Sequence, residues 1–295
     1  MQHVLNRRDN PVTLQQNTTN RAFTIKGVGL HSGVPCQIEV TPAAPGTGRL
    51  FVVDGVEVPA RACNVIETAR CTTIGLGGVR IRTVEHVLAA LAGCLVDNAR
   101  ILVEGPEIPI MDGSALPFVE SILNVGTCAQ LLPPNTVVVE RTHTVANSNG
   151  SSSMTASTGD GFSITLDTQF NNWPEGDSSN TLELGSSSDT FIRELAPART
   201  FAFADEVERL LSAGLARGGS LDNVIIITPP DLFSSPLRLA GEWWRHKALD
   251  VVGDLALVDA RICGQIRAVR PGHTINTGLA LALYENGEEL RRLEP

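Results

Sequence analysis

Between residues 241 and 258 the apolar positions Trp244, Leu249, Val251, Val252 and Leu255, with Ala248 among them, predict a helix with a mostly buried interior. Polar breaks and alternation divide the rest of the chain. Short strands are expected at Ala22–Lys26, Pro35–Thr41, Arg49–Val53 and Val56–Arg61. The glycines of Gly27-Val28-Gly29-Leu30-His31-Ser32-Gly33 have the spacing GxGxxxG with no long helix after them. That fails the dinucleotide fingerprint and fits a tight hairpin turn. Thr83–Gly93 reads as a helix with Thr83 as N-cap and Gly93 as stop, Asn98–Glu104 as a strand and Leu116–Leu123 as a helix. Gly126–Asn135, with Pro133-Pro134, reads as a linker.

Strands then dominate, at 136–145, 151–156, 162–170 and 180–185, with a polar loop at Asn171–Asn180. The spacing of Phe203, Val207, Leu210, Leu211 and Leu215 is that of an amphipathic helix, a pattern that more often meets a core than a ligand. Gly218-Gly219 ends it, Asn223–Thr228 reads as a buried strand, and Ile262–Arg270 as another. Pro271-Gly272-His273-Thr274 breaks that strand before a last helix from about Asn276 to Glu285. No internal repeat is visible in the sequence.

Composition adds limits rather than detail. A chain of 295 residues has room for one or two domains. A net charge of −9 without a Lys/Arg cluster argues against a nucleic-acid partner. The six cysteines form no CxxC pair, which favours buried free thiols in a reducing compartment. No apolar run approaches the ~20 residues of a membrane span. The opening MQHVLNRRDNPVTLQQ has neither a secretory nor a transit pattern. A cytoplasmic monomer acting on a small molecule is the expectation.

The chemistry lies on the helix at 241–258. Residues four apart drift by only about 40° around a helix, so His246, Asp250 and Asp254 form one stripe. Such a stripe is either a solvated face with one capped histidine or a site, since burying these groups unpaired is costly. Glu85 and His86 open a second helix, and the HExxH and HxxEH patterns are both absent, Arg82 standing where the latter needs histidine. Catalytic zinc takes three N/O ligands and keeps one position open. His246 and Asp250 supply two from one helix face and His86 a third from a distant helix; Glu85 could then be the general base. Asp254 lies too far along to share the ion and could instead hold a second imidazole, with His273 the candidate.

The segments GVGLHSG, TVEHVLAALAG, DNARILVEGPEIPIMDGSALPFV, ARTF, GGSLDN and RHKALDVVGDL, in this order from about Thr24 to Leu283, resemble the zinc-dependent UDP-3-O-acyl-N-acetylglucosamine deacetylases of lipid A synthesis. The resemblance implies an α+β fold of two similar domains, 1–130 and 131–295, each a small β-sheet packed on a pair of helices, with the active site between them. It implies Zn2+ on His86, His246 and Asp250, with Glu85 as base. His273 would be the cation that protonates the leaving amine or stabilises the oxyanion, held by Asp254, and Thr200 would hydrogen-bond the oxyanion. Lys247 would meet the nucleotide-sugar head. Phe201, Phe203 and the 203–215 helix would match an acyl-chain passage. Two departures stand out. Thr168–Pro174 lacks an expected His-Pro pair, and Thr274–Thr277 is only similar to the usual run. Two other readings remain: a zinc amidohydrolase on a different N-acyl substrate, and a binding protein with a structural metal.

Overall fold

The computed structural model describes residues 15–168, 178–184, 187–229 and 232–293, with the backbone alone at 178 and 286–293. The departure expected within 168–174 and most of the polar loop at 171–180 therefore lie outside the described residues. Helices form at α1 (Glu85–Gly93), α2 (Leu116–Val125), α3 (Asp189–Glu194), α4 (Ala204–Ser212), α5 (Glu242–Leu255) and α6 (His273–Leu293).

Two sheets share one topology. The first orders its strands Phe23–Val28, Pro35–Pro42, Ala99–Glu104, Arg49–Val53 and Val56–Pro59. The second follows His143–Ala146, Ser153–Ser157, Arg261–Val269, Phe162–Thr168 and Ser178–Glu183, with Thr136–Val138 beside the start of Arg261–Val269. In both, an antiparallel hairpin comes first, the last strand in sequence pairs antiparallel to its second member, and that strand runs parallel to the third. A helix precedes and another follows that last strand: α1 and α2 in the first half, α5 and α6 in the second. The fold is thus α+β, with one arrangement used twice although no repeat shows in the sequence.

Alternation builds each sheet's inner face, with Cys36, Ile38 and Val40 buried in one strand and Met154 and Ala156 in another. The helices cover these faces and then meet each other, α2 packing on α1, α1 on α5 and α5 on α6. A single apolar cluster runs through both halves. The apolar residues of α1 go all the way round, from Val87 to Leu91, which suits a helix enclosed on every side. At the crossing of α1 and α5, Gly253 lets the backbones touch: a Cβ there would lie 2.1 Å from the carbonyl oxygen of Glu85.

Several expectations need correction. Thr83 does not cap α1: its φ is +59°, and its hydroxyl turns away to donate to Glu107 Oε1 at 2.7 Å. The stripe around Val207 and Leu211 is not core, because α4 has no buried residue and Leu211 is 53% exposed. The last helix starts at His273 rather than Asn276 and runs well beyond Glu285. The strand expected at 136–145 is two, Thr136–Val138 and His143–Ala146. In the expected linker, Thr127–Ala129 pairs with Asn17–Thr19. A small sheet of Val65–Glu67, Thr73–Leu76 and Val79–Ile81 was not anticipated, nor was α3. None of the six cysteines is paired, but Cys63 and Cys128 are exposed rather than buried. No helix among the described residues is long and apolar enough to cross a membrane.

Candidate active site

The N-terminal turn of α1 meets the middle of α5. Along α5, His246, Asp250 and Asp254 are buried on the side that faces α1 and α6. The start of α5 is fixed by Glu242, whose buried carboxylate accepts from Arg199 Nε at 2.8 Å, from the Arg199 backbone N–H at 3.0 Å and from the Arg238 N–H at 2.7 Å. This clamp holds the segment Ala198–Phe201 against α5. Thr200 is further pinned by its N–H to Gly113 O at 2.8 Å, and Ile225 N–H donates to its carbonyl at 2.9 Å.

His246 Nδ1 lies 3.0 Å from the Ala198 carbonyl, which can only accept, so Nδ1 carries the proton and Nε2 the lone pair. That Nε2 points at Asp250 Oδ1, 3.4 Å away, and His86 Nε2 lies 3.9 Å from the same oxygen. One ligand atom from each of His86, His246 and Asp250 falls within 4.8 Å of the others, and all three residues are buried. Burial, then the neighbouring His246, pushes His86 down to about 3, and burial lowers His246 too. Burial opposes ionisation of Asp250, but His246 and Lys247 outweigh it and hold its pKa well below the usual range. Donor atoms of two imidazoles and a carboxylate thus crowd into one buried spot, an arrangement that suits a cation lying between them. Donors at ~2.1 Å around a tetrahedral ion stand roughly 3.4 Å apart. The donor set fits a divalent ion of zinc's preferences. Lys247 Nζ, 3.2 Å from Asp250 Oδ2, occupies the other carboxylate oxygen.

A second group surrounds Asp254. His273 Nδ1 lies 2.9 Å from Asp254 Oδ2, Asn276 Nδ2 donates to the same oxygen at 2.9 Å, and Thr72 Oγ1 donates to Oδ1 at 2.5 Å. Burial works against a charged His273, yet the Asp254 charge and hydrogen bond prevail and raise it to about 9. A cation at the first residue of α6 opposes the helix dipole, so Asp254 is what makes the position tolerable. Glu85 accepts from the Thr72 N–H at 3.0 Å through Oε2. Burial, only partly offset by His273, raises Glu85 to about 8.

Both groups face one cavity of about 500 Å³, whose wall includes Glu85, His86, Thr200, Phe201, Lys247 and His273. Arg70 and Arg270 also line it, Arg70 in a two-point ion pair with Glu206. Phe203 is not in that wall; its ring packs edge-on against Phe201, centroids 6.0 Å apart. His31 also stays out of the wall, although Leu30 lines it; Glu107 grips the hairpin turn by accepting from the His31 and Ser32 N–H groups at 2.9 and 2.8 Å. A second, mainly apolar cavity of about 350 Å³ opens at the opposite ends of α1 and α5. Its charged residues are already engaged, Arg261 with Asp97 and Arg49 with the Val96 and Ala256 carbonyls.

The sequence reading missed Thr72, Asn276, Glu242 and Arg199. Asn276 had a signal, lying three residues after His273 on one helix face once α6 is placed correctly. Thr72 had none, since nothing in a Cys-Thr-Thr run marks a contact with residues 13 and 182 positions away.

The sequence profile described as LpxC, UDP-3-O-acyl N-acetylglycosamine deacetylase, matches residues 16–285. A UDP-3-O-acyl-N-acetylglucosamine deacetylase of Anaeromyxobacter sp. (strain Fw109-5) is 43% identical over 267 residues, covering 90% of this chain and 86% of that protein. One of Myxococcus xanthus (strain DK1622) is 39% identical over 271 residues, covering 90% and 85%. A bifunctional enzyme LpxC/FabZ of Chlorobaculum tepidum is 36% identical over 312 residues, covering 95% of this chain and 66% of its own length. With the match spanning nearly all of the sequence, the chain belongs to the UDP-3-O-acyl N-acetylglycosamine deacetylase family.

Proposed function

We propose that this chain is a zinc-dependent amidase that removes the acetyl group from UDP-3-O-acyl-N-acetylglucosamine in the synthesis of lipid A, working in the cytoplasm. The observation that carries the reading is the convergence of His86, His246 and Asp250, from helices of both halves, beside Glu85 and the Asp254–His273 pair in one cavity. Halves of 1–130 and 131–295 place that cavity at their seam.

His86, His246 and Asp250 would hold the ion, which supplies Lewis acidity and makes water a stronger acid. Glu85 is held through Oε2 by Thr72, so its other oxygen takes the proton from the attacking water. Thr200, its backbone fixed on both sides, donates to the oxygen that becomes negative as the amide carbon turns tetrahedral. His273 keeps Nδ1 on Asp254 and uses its other nitrogen to stabilise that oxygen or to protonate the departing amine. The sugar nitrogen leaves as an amine and the acetyl group as acetate. Lys247 and Arg70, exchanging Asp250 and Glu206 for a ligand, would meet the diphosphate together with Arg270, and Phe201 with the apolar side of α4 would guide the acyl chain.

A structural metal would want a fourth protein ligand; among the described residues the cluster has three members, which favours catalysis. The test is metal analysis of the pure protein together with acetate release from UDP-3-O-acyl-N-acetylglucosamine and from simple N-acetyl sugars. His246→Ala should lose tight metal binding and activity together. Turnover of simple N-acetyl sugars at an equal rate would point to a different N-acyl substrate, and full activity of His246→Ala would remove the metal assignment.

A further inference from the structure

Thr72 is fully buried and spends every polar group it has on this site. Its N–H donates to Glu85 Oε2 at 3.0 Å. Its carbonyl accepts from the N–H of Val84, the residue just before α1, at 3.2 Å. Its hydroxyl donates to Asp254 Oδ1 at 2.5 Å. The backbone therefore fixes the arm that ends in Glu85, and the side chain crosses the seam to fix the arm that ends in His273. We infer that Thr72 is a positioning residue that sets the two proton-handling side chains, Glu85 and His273, at a fixed separation across the cavity. This rests on the roles proposed above for those two groups.

The details fit that task. On Asp254, Oδ2 already serves His273 and Asn276, whereas the contact found on Oδ1 is Thr72. Without it the carboxylate can turn about its own bond and carry the imidazole with it. A β-branched side chain is stiff at χ1, so threonine aims the hydroxyl with less freedom than serine. Thr72 does not belong to the cavity wall, so substrate binding should not sense it directly.

Thr72→Val keeps the shape and both backbone contacts while deleting the hydroxyl. We expect kcat to fall about 10- to 100-fold, as when the hydrogen-bond partner that orients a metal-binding side chain is lost, with KM within about twofold and full metal content. Thr72→Ser should recover most of the loss. In protein carrying ¹⁵N-histidine, the Nδ1–H signal of His273 should broaden in Thr72→Val and return in Thr72→Ser. Added to His273→Gln, Thr72→Val should cost less than about twofold more, because the two act through one arm. Should Thr72→Val fail to fold, Thr72→Ala replaces it. A hydroxyl-free variant with wild-type kcat and an unchanged His273 signal, while His273→Gln is impaired, overturns the role of Thr72 alone. Normal turnover by His273→Gln overturns the underlying reading of His273 and Thr72's role with it.

Discussion

Gly253→Ala is the sharpest perturbation of the site, because it adds one carbon at the contact of the two helices that carry it. The new Cβ would sit 2.1 Å from Glu85 O and 2.8 Å from Glu85 C, where real Cβ contacts essentially never fall below 3.0 Å. The helices must separate locally by about 0.9 Å, and neither has slack: α1 is buried from Glu85 to Leu91 and α5 from Ala248 to Leu255. Overpacking costs ~1–3 kcal/mol, while alanine in a helix interior returns about 1 kcal/mol relative to glycine. The fold should survive with a net loss of roughly 0–2 kcal/mol. The site should not, since Glu85 and His86 move away from Asp250 and His246. Metal distances tolerate only about 0.2 Å, and misplacement near 1 Å costs roughly 100-fold in rate. Chelator competition, steady-state kinetics and denaturant unfolding on the same preparation would measure all three. Wild-type metal affinity and kcat in Gly253→Ala would show that the close approach of α1 and α5 does not set the site.

The pH dependence of kcat/KM should be a bell. In the proposed mechanism His273 is the cation, so the rate should fall as pH rises through about 9, and Asp254→Asn should move that limb down towards the ordinary value of ~6.5. Glu85, raised to about 8 by burial, would act as the anion; a divalent ion bound beside it would favour ionisation, so the acidic limb of the loaded enzyme should lie below 8. The limbs belong to the coupled site, and a wild-type basic limb already at 6.5 would contradict the Asp254–His273 pairing. Glu242→Ala should lose about 3–5 kcal/mol in denaturant unfolding, because it strands the buried Arg199 guanidinium; a loss under about 1 kcal/mol would mean Arg199 finds other partners. Each CH₂ removed from the acyl chain should cost ~0.8 kcal/mol, about fourfold in kcat/KM, and Val207→Trp should penalise long chains more than short ones. Indifference to chain length would remove α4 from the proposed passage.

The stripe of His246, Asp250 and Asp254 could be read from the sequence because a helix imposes its own geometry. Once the apolar pattern places α5, residues four apart must share a face. Strand alternation likewise revealed most of the sheet strands and the hairpin at Gly27–Gly33, and the motifs around Glu85-His86 and Gly272-His273 marked where to look for partners. These are local properties, settled within a turn or a strand. The misreadings also came from local rules. Thr83 has the chemistry of a cap, but a buried Glu107 outbids the helix for its hydroxyl. The stripe on α4 has the period of a core helix, but α4 packs on a small three-stranded sheet, which leaves Val207 and Leu210 half-buried and Leu211 exposed among the described residues.

What only the tertiary structure decided is which distant groups meet. The repeated sheet topology leaves no trace in the sequence because many residues satisfy the same alternation. His86 reaches Asp250 because Gly253 lets α1 and α5 touch, and a glycine inside a helix does not reveal what it makes room for. Thr72 joins Glu85 to Asp254 across 13 and 182 positions of sequence. A threonine's partner is fixed by where the chain returns, and that is set by the packing of whole layers, which no short stretch of sequence contains.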